Sequence, residues 1–451
     1  MGKLFGTDGV RDKANQGNMT AETALKLGCA VGLYFRDATA VEEVRPVIAI
    51  GRDPRLSGSM LESALAAGVC SAGVDVRLLG VVPTPAVAQI TVQTGAVAGL
   101  VVSASHNPFY DNGIKVFKGS GFKLTDEEEE QIEELFFSDA LSLPVEEEVG
   151  AVFFMQDAVE LYAEFCRQTL PDGQPLAGLK LVLDCSNGAT SACAEAVFSA
   201  VGASVAVIHN DPDGININEN CGSQHTEDLC AKVLEMGADA GLAFDGDGDR
   251  LIAVDETGSE LSGDQIMAIC AKAYKEQGTL TNDRVVATVM SNMGFHAAMK
   301  SLGIKTETAG VGDRMVLELM QKTGAVLGGE DSGHMIFLDC HTTGDGIVSG
   351  LKLMQVLAAS SVKLSALAEI MVPFPQVLIN VDVKQKPPIE EVAALAEAVA
   401  QAEKELGDAG RVLIRYSGTQ PMCRVMVEGP VEAQTQEIAE RLARVVKECV
   451  G

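Results

Sequence analysis

The stretch Val47-Ile48-Ala49-Ile50-Gly51-Arg52-Asp53 opens on four apolar residues and closes on a polar turn. An Ala-rich segment of helical character follows, then Gly73, then a second strand-like run over residues 74–79. The same order recurs from residue 179, with an apolar run to Leu183 and the turn Asp184-Cys185-Ser186-Asn187-Gly188. A helical segment through Ala200, then Gly202 and a run over residues 205–208, complete that copy. A third copy has a run over 284–290, the turn Ser291-Asn292-Met293-Gly294, a helical segment, Gly303 and a run over 304–308. Short apolar runs buried on both faces and alternating with helices are the pattern of parallel βαβ units. The glycine after each helix permits the left-handed turn that returns the chain to the sheet. Three copies predict an α/β protein with three related α/β domains built on mixed, largely parallel sheets. One large doubly wound domain is the alternative that the pattern allows.

The boundaries are read from breaks in this pattern. Thr125-Asp126 followed by Glu127 to Glu130 is a helix start with acidic residues in its first turn, where the dipole favours them. Pro144-Val145-Glu146-Glu147-Glu148 reads as a surface linker, and Pro373-Phe374-Pro375 breaks the chain again. Beyond it, strand-like runs at 377–383, 412–415 and 424–428 and helical segments at 388–406 and the C-terminus predict a small α+β domain. The expected domains are 1–150, 151–252, 253–371 and 372–451. At roughly 150 residues per domain, a chain of 451 residues accommodates them.

Charge and composition exclude several classes of function. The 34 Lys+Arg against 63 Asp+Glu leave a net charge of −29, which repels nucleic acid and anionic membrane alike. Neither is an expected partner. Aromatic residues are 4% and Trp is absent, which leaves little for stacking on bases. The longest apolar stretch, around residues 95–102, is far short of the ~20 residues a membrane helix needs. The eleven cysteines show no metal-type spacing, and Cys29, Cys70, Cys193, Cys230 and Cys270 stand in helical text as buried small hydrophobes. With no secretory signal, a cytoplasmic location is expected.

Four segments carry residues suited to chemistry. Ser103-Ala104-Ser105-His106-Asn107-Pro108 follows a buried strand, at the end where open α/β sheets place ligands. Ten residues on, Lys115 lies in Asp111-Asn112-Gly113-Ile114-Lys115, read as a turn that brings a cation back to the serine. A hydroxyl beside a cation serves as nucleophile or phosphate carrier. The same residues also make a serine-capped tight turn, and this segment alone leaves both readings open. Asp245-Gly246-Asp247-Gly248-Asp249-Arg250 puts three carboxylates at alternate positions, which aims their oxygens at one hard cation. An EF-hand is the rival, since Glu256 is twelfth from Asp245. Against it, Arg250 stands where that loop requires Gly, and both flanks read as strands. Gly328-Gly329-Glu330-Asp331-Ser332-Gly333-His334 has the composition for binding sugar hydroxyls, though a solvated Gly-rich turn looks the same. Arg415-Tyr416-Ser417-Gly418-Thr419-Gln420-Pro421, with Arg424, reads as an anion nest flanked by guanidinium forks, or as a surface hairpin with stray charges.

Taken in order with Gly6-Thr7-Asp8-Gly9-Val10-Arg11, these segments resemble the α-D-phosphohexomutase family from residue 6 to about 428. Asp213-Gly214-Ile215-Asn216-Ile217-Asn218, Cys221-Gly222-Ser223, Val311-Gly312-Asp313-Arg314 and Thr342-Thr343-Gly344-Asp345-Gly346 are most similar to members acting on glucosamine phosphates. The resemblance implies four domains around a central cleft and a Mg²⁺-dependent enzyme. In that family pattern Ser105 is the phosphoserine, and Mg²⁺ is held by Ser105, Asp245, Asp247 and Asp249. Arg11, Lys115 and Arg250 neutralise the phosphate, Lys115 is the candidate for proton handling, and His106 completes the catalytic set. Glu330, Ser332 and His334 read the sugar, while Arg415, Ser417, Gly418, Thr419 and Arg424 hold the phosphate that does not react. The implied substrate is a hexosamine phosphate, with glucosamine or glucose 1,6-bisphosphate as intermediate and activator and UDP-N-acetylglucosamine downstream. Glucose or mannose phosphates are the alternative substrates, and a non-catalytic sugar-phosphate binder is the alternative class. A homodimer is compatible with all of these. Four positions depart from the family pattern: Asp12, Asp331, Gln420, and Gly310, where relatives carry Lys.

Overall fold

The computed structural model describes residues 4–6, 8–38, 45–138, 141–407, 410–417 and 421–451. It comprises two compact units, Met1–Met290 with Lys305–Glu369, and Ser291–Ile304 with Ile370–Gly451.

The first unit holds three sheets. Strands β1 (Val10–Lys13), β2 (Val47–Arg52), β3 (Asp75–Val81), β4 (Ala98–Val102), β5 (Asp111–Lys118) and β6 (Val152–Phe154) lie in the order β1-β5-β4-β2-β3-β6. Strands β7 (Lys180–Asp184), β8 (Ser204–Ile208), β9 (Ala240–Phe244), β10 (Leu251–Asp255) and β11 (Glu260–Leu261) lie in the order β11-β10-β9-β7-β8. Strands β12 (Arg284–Thr288), β13 (Lys305–Ala309), β14 (Leu327–Gly329) and β15 (Met335–Phe337) lie in the order β13-β12-β14-β15. One plan underlies all three. A strand pairs in parallel with the next, across a helical connection, and with the one after that. The last of these then turns back on itself as an antiparallel pair, β4–β5, β9–β10 or β14–β15. The repeat in the sequence is this plan. Gly73, Gly202 and Gly303 take the left-handed turn after the helix in their respective copies, with φ of +84°, +99° and +66°.

The three antiparallel turns have a functional consequence. Each lies at the C-terminal end of a buried parallel strand, and they carry Ser105, Asp245 to Asp249, and Glu330 respectively. Residues 111–115, read from the sequence as a turn, are instead strand β5, with Lys115 opposite Val101. Asn112-Gly113 is misleading there because the glycine serves close packing. A Cβ on Gly113 would come within 2.6 Å of the Ser103 carbonyl oxygen and 3.0 Å of that of Val10.

In the second unit, β16 (Gln376–Asp382), β17 (Arg411–Tyr416) and β18 (Met422–Glu428) form an antiparallel sheet in the order β16-β18-β17. Ile438, Leu442, Val446 and Val450 recur every fourth residue along the helix Glu432–Val450. That spacing puts them on one face, which joins a core with Val381, Leu395 and Val425.

All eleven cysteines are free thiols. Cys29, Cys70, Cys193 and Cys270 are buried as expected, but Cys230 is half-exposed, because Leu229 and Val233 take the core face of its helix. No helix among the described residues is long and apolar enough to cross a membrane.

One buried carboxyl makes stability depend on pH. Asp345 caps the helix Gly346–Ala359, and its Oδ1 accepts from the Tyr162 hydroxyl at 2.9 Å and the Val348 amide at 3.0 Å. Its Oδ2 is buried without a hydrogen-bond partner, which costs least when the carboxyl is uncharged. Burial pushes the Asp345 pKa up to about 7 against hydrogen bonds that lower it. The folded value lies above the unfolded one, so this contribution to stability is complete below about pH 4. It is lost as pH rises through 7, at ~1.4 kcal/mol per unit of displacement. Asp345→Asn should therefore flatten the denaturation midpoint between about pH 4 and 7. An unaltered pH profile in the variant would contradict the assignment.

Candidate active site

Ser105 is buried, and its Oγ donates to Asp245 Oδ2 at 2.5 Å. The serine belongs to the β4–β5 turn and the aspartate to the β9–β10 turn, 140 residues further along the chain. The strands on either side of the aspartates are antiparallel, which rules out the helix-flanked EF-hand.

Asp245, Asp247 and Asp249 are all buried, with one oxygen of each within 4.8 Å of the others. Asp247 Oδ2 accepts from Thr84 Oγ1 at 2.6 Å and Lys115 Nζ at 2.9 Å, and Asp249 Oδ2 accepts from Lys115 Nζ at 3.0 Å. The Oδ1 atoms of Asp247 and Asp249 are buried without a hydrogen-bond partner, the latter 3.8 Å from Arg250 Nε. Hard oxygen donors, crowded and partly unsatisfied, fit a divalent cation such as Mg²⁺. Burial, then Asp249 and Asp247, drive the Asp245 carboxyl well above its ordinary range. So many carboxylates do not ionise together without added positive charge.

The cations collect around this set. Burial alone would lower the Lys115 pKa, but Asp247, Asp249 and Asp8 hold it well above the usual value. Arg11 donates to Asp8 Oδ2 at 2.5 Å, and the Arg250 amide donates to Asp245 Oδ1 at 3.1 Å. His106 Nδ1 lies 3.5 Å from Ser105 Oγ. Burial, with Arg250 and Arg11 nearby, lowers its pKa to about 4, so the imidazole is neutral at physiological pH.

A backbone bridge between Arg250 and His334 ties the aspartate turn to the Glu330 turn. Glu330 Oε1 accepts from the Gly312 amide at 3.1 Å, and Ser332 is half-exposed beside it. His334 is buried, 3.7 Å from Asp313. The structure thus brings together Ser105, His106, Lys115, Arg11, the three aspartates and Arg250, with the Glu330 turn joined to them.

Motif reading missed two supporting residues here. Thr84, at the start of the helix Thr84–Thr94, braces Asp247 through its hydroxyl and also through its amide, which donates to the Asp247 carbonyl at 2.8 Å. Lys123 Nζ donates to both Asp8 and Asp313. At Gly310 a Cβ would meet nothing closer than Met315 at 3.7 Å, and Lys123 supplies a cation next to Asp313. A second metal-type group, Asp184, His209 and Cys221, is explained by hydrogen bonding. Asp184 accepts from the Ser186 and Gly222 amides and from His209 Nδ1.

In the second unit, Arg415 and Arg424 stand directly opposite each other on β17 and β18. Neither has a carboxylate partner among the described residues. Burial and the facing Arg424 lower the Arg415 pKa. The Ser417 amide donates to the Met422 carbonyl at 2.8 Å, and Lys386 Nζ donates to the Ser417 carbonyl at 2.6 Å. Lys386 is thus a third cation that the motif did not announce. Gly418, Thr419 and Gln420 lie outside the described residues.

Comparison with known proteins covers the whole chain. The alpha/beta/alpha domains I, II and III of phosphoglucomutase/phosphomannomutase match residues 2–142, 160–258 and 262–374, and its C-terminal domain matches 378–445. A curated phosphoglucosamine mutase of Syntrophus aciditrophicus is 53% identical over 453 residues, covering 100% of both chains. Another, of Syntrophobacter fumaroxidans, is 52% identical with the same coverage. Among solved structures, a phosphoglucomutase/phosphomannomutase family protein of Burkholderia thailandensis superposes with a TM-score of 0.83 at 25% identity, over 99% of this chain and 97% of that one. The N-acetylphosphoglucosamine mutase of Aspergillus fumigatus, solved with GlcNAc-6P and magnesium, shares the fold at a TM-score of 0.68 and 17% identity, over 99% and 96%. With three repeated sheets, a fourth small domain and full-length relatives, the chain belongs to the phosphoglucomutase/phosphomannomutase family.

Proposed function

We propose that the protein interconverts glucosamine 6-phosphate and glucosamine 1-phosphate by way of a phosphoryl group carried on Ser105. The observation that carries this reading is the serine hydroxyl 2.5 Å from a buried carboxylate in a cluster of three whose geometry suits a cation. The names of its full-length curated relatives point to the amino sugar. Asp245, Asp247, Asp249 and an oxygen of phosphorylated Ser105 are the ligands proposed for Mg²⁺, which when bound withdraws charge from the transferring phosphoryl group.

The residues themselves do the rest. As the group transfers, the P–Oγ bond of Ser105 breaks and a bond from phosphorus to a sugar hydroxyl oxygen forms. The hydroxyl proton ends on Ser105 Oγ. Neutral His106, 3.5 Å from Ser105 Oγ, is the acceptor for the proton, and Lys115, held as an ammonium against Asp247 and Asp249, is the donor. Arg11 and Arg250 offset the phosphate charge, so that catalysis is mainly positioning and electrostatics. Glu330, Ser332 and His334 select the sugar hydroxyls. The product of the first transfer is a 1,6-bisphosphate, whose other phosphate returns to Ser105 after the sugar turns around.

A coupled assay primed with catalytic glucose 1,6-bisphosphate tests the proposal, with the highest kcat/KM expected on glucosamine phosphate among glucosamine, glucose and mannose phosphates. A higher value on one of the other sugars would reassign the substrate. No turnover by phosphorylated enzyme on any of them would overturn the reaction.

Arg415, Ser417 and Arg424, with Lys386, are assigned to the phosphate that stays on the sugar. That phosphate is bound alike in ground and transition states, so Arg415→Ala should raise KM by about 10- to 100-fold and leave kcat nearly unchanged. A pure loss of kcat would remove Arg415 from this role.

A further inference from the structure

We propose that Arg55 and Asn218 are positioning residues for phosphoryl transfer, together clamping the Ser105 peptide in the conformation that aims its hydroxyl at Asp245. The inference rests on the reading of Ser105 as the phosphoryl carrier. Ser105 has φ +52°, a left-handed backbone that non-glycine residues adopt only when their surroundings hold them there. Those surroundings can be traced bond by bond. The Ser105 carbonyl accepts from Arg55 Nη2 at 2.8 Å and from Asn218 Nδ2 at 2.9 Å. The same two nitrogens donate to the Asn107 carbonyl, at 2.8 Å and 3.1 Å. Arg55 Nη1 donates to the carbonyls of Pro108 and Asp111, which gathers the rest of the turn. On the other side, the Ser105 amide donates to Ser103 Oγ at 3.0 Å, and Ser103 Oγ donates to Asp53 Oδ2 at 2.5 Å. Arg55 Nε also donates to that oxygen, at 2.8 Å, which closes the loop of bonds.

The Arg55 side chain has no exposed surface, and its bonds go to Asp53 and four backbone carbonyls. It therefore positions Ser105 without meeting a substrate. Asn218 comes from the loop after β8 and so links the second sheet to the serine turn. The two turns fit closely at this point. A Cβ on Gly246, between Asp245 and Asp247, would lie 2.7 Å from both the Ser105 carbonyl oxygen and Asn218 Nδ2. Losing a donor to this carbonyl frees the peptide to rotate and carries Oγ away from Asp245. A displacement of about 1 Å at a reacting group costs on the order of 10²-fold in rate.

Asn218 is the position to test, because it is half-buried and itself left-handed, with φ +58°. Asn218→Gly keeps that backbone accessible and removes the donor. Asn218→Asp keeps the size and turns an acceptor toward two carbonyls. Arg55→Lys retains the charge and loses the fork. The readouts are kcat and KM, the rate of phosphoryl loss from Ser105 to substrate in a single turnover, and Tm. Both Asn218 variants should lose about 10²-fold in kcat and in the single-turnover rate, with KM within about twofold and Tm near that of the parent. Asn218→Asp should be at least as impaired as Asn218→Gly. An unchanged kcat in Asn218→Gly overturns the proposal. So does a loss confined to KM, or a loss of folded protein with normal kcat per phosphorylated molecule. If Arg55→Lys does not fold, the Asn218 variants decide alone. A parent protein that takes up no phosphoryl group would instead overturn the reading of Ser105 on which the inference stands.

Discussion

Ser105→Ala should lose the added mass of about 80 Da that intact-mass measurement is expected to show on the parent protein after incubation with glucose 1,6-bisphosphate. Turnover should fall by about 10⁵- to 10⁶-fold, the scale on which a covalent carrier fails once its nucleophile is gone. The two hydroxyls bonded close to it are already committed. Ser103 Oγ is committed to Asp53 Oδ2, and Thr84 Oγ1 to Asp247 Oδ2. Folding is a separate matter, since Ala bears a Cβ at the left-handed φ of +52° that Ser105 already tolerates. Ser105→Gly suits that backbone better, so it should be at least as stable as Ser105→Ala and just as inactive. A phosphoryl group still found on Ser105→Ala, or turnover within about tenfold of the parent, would move the carrier elsewhere.

The parts of this site that were legible in the sequence are those whose chemistry is local. Three aspartates in five residues, or a serine and an asparagine–proline turn after a buried strand, carry their meaning in a short window. The three-sheet plan was legible for the same reason, because each copy repeats its own strand, turn, helix and glycine. What stayed hidden lies at the other end of long-range bonds. Thr84 reaches Asp247 across 163 residues, Lys123 reaches Asp313 across 190, and Asn218 reaches the Ser105 carbonyl across 113. No periodicity records which buried donor meets which acceptor. Asn218 was the nearest to being found, since it closes the Asp213-to-Asn218 segment that the sequence already sets beside the family. Gly113 shows the opposite error, in which a turn signal marks close contact between strands.

Asp247→Asn tests the electrostatic core of the site. Three carboxylates and a phosphoserine of about −2 carry roughly −5, and Lys115, Arg11 and Arg250, partly offset by Asp8, do not balance it, so the set keeps a negative excess that suits a divalent cation. Asn has nearly the same size, so packing is retained while one charge is removed. Its amide must also compromise. With the NH₂ group toward Lys115 and Thr84, two or more donors face one another where Asp247 Oδ2 now accepts bonds of 2.9 Å and 2.6 Å. Flipped, the NH₂ takes the place of Oδ1, the unpartnered oxygen suited to a cation. Either orientation weakens the hold on a divalent ion, and kcat should fall by about 10³-fold at a fixed Mg²⁺ concentration. KM for the sugar phosphate should move far less, because the lost charge acts on the group in transfer. Raising Mg²⁺ should recover part of the rate in the variant, and chelation should abolish it in the parent protein. If the loss fell on KM alone, or if chelation left the parent protein active, the aspartates would be holding sugar or structure, and the cations around them would need another anion to explain their convergence on Ser105.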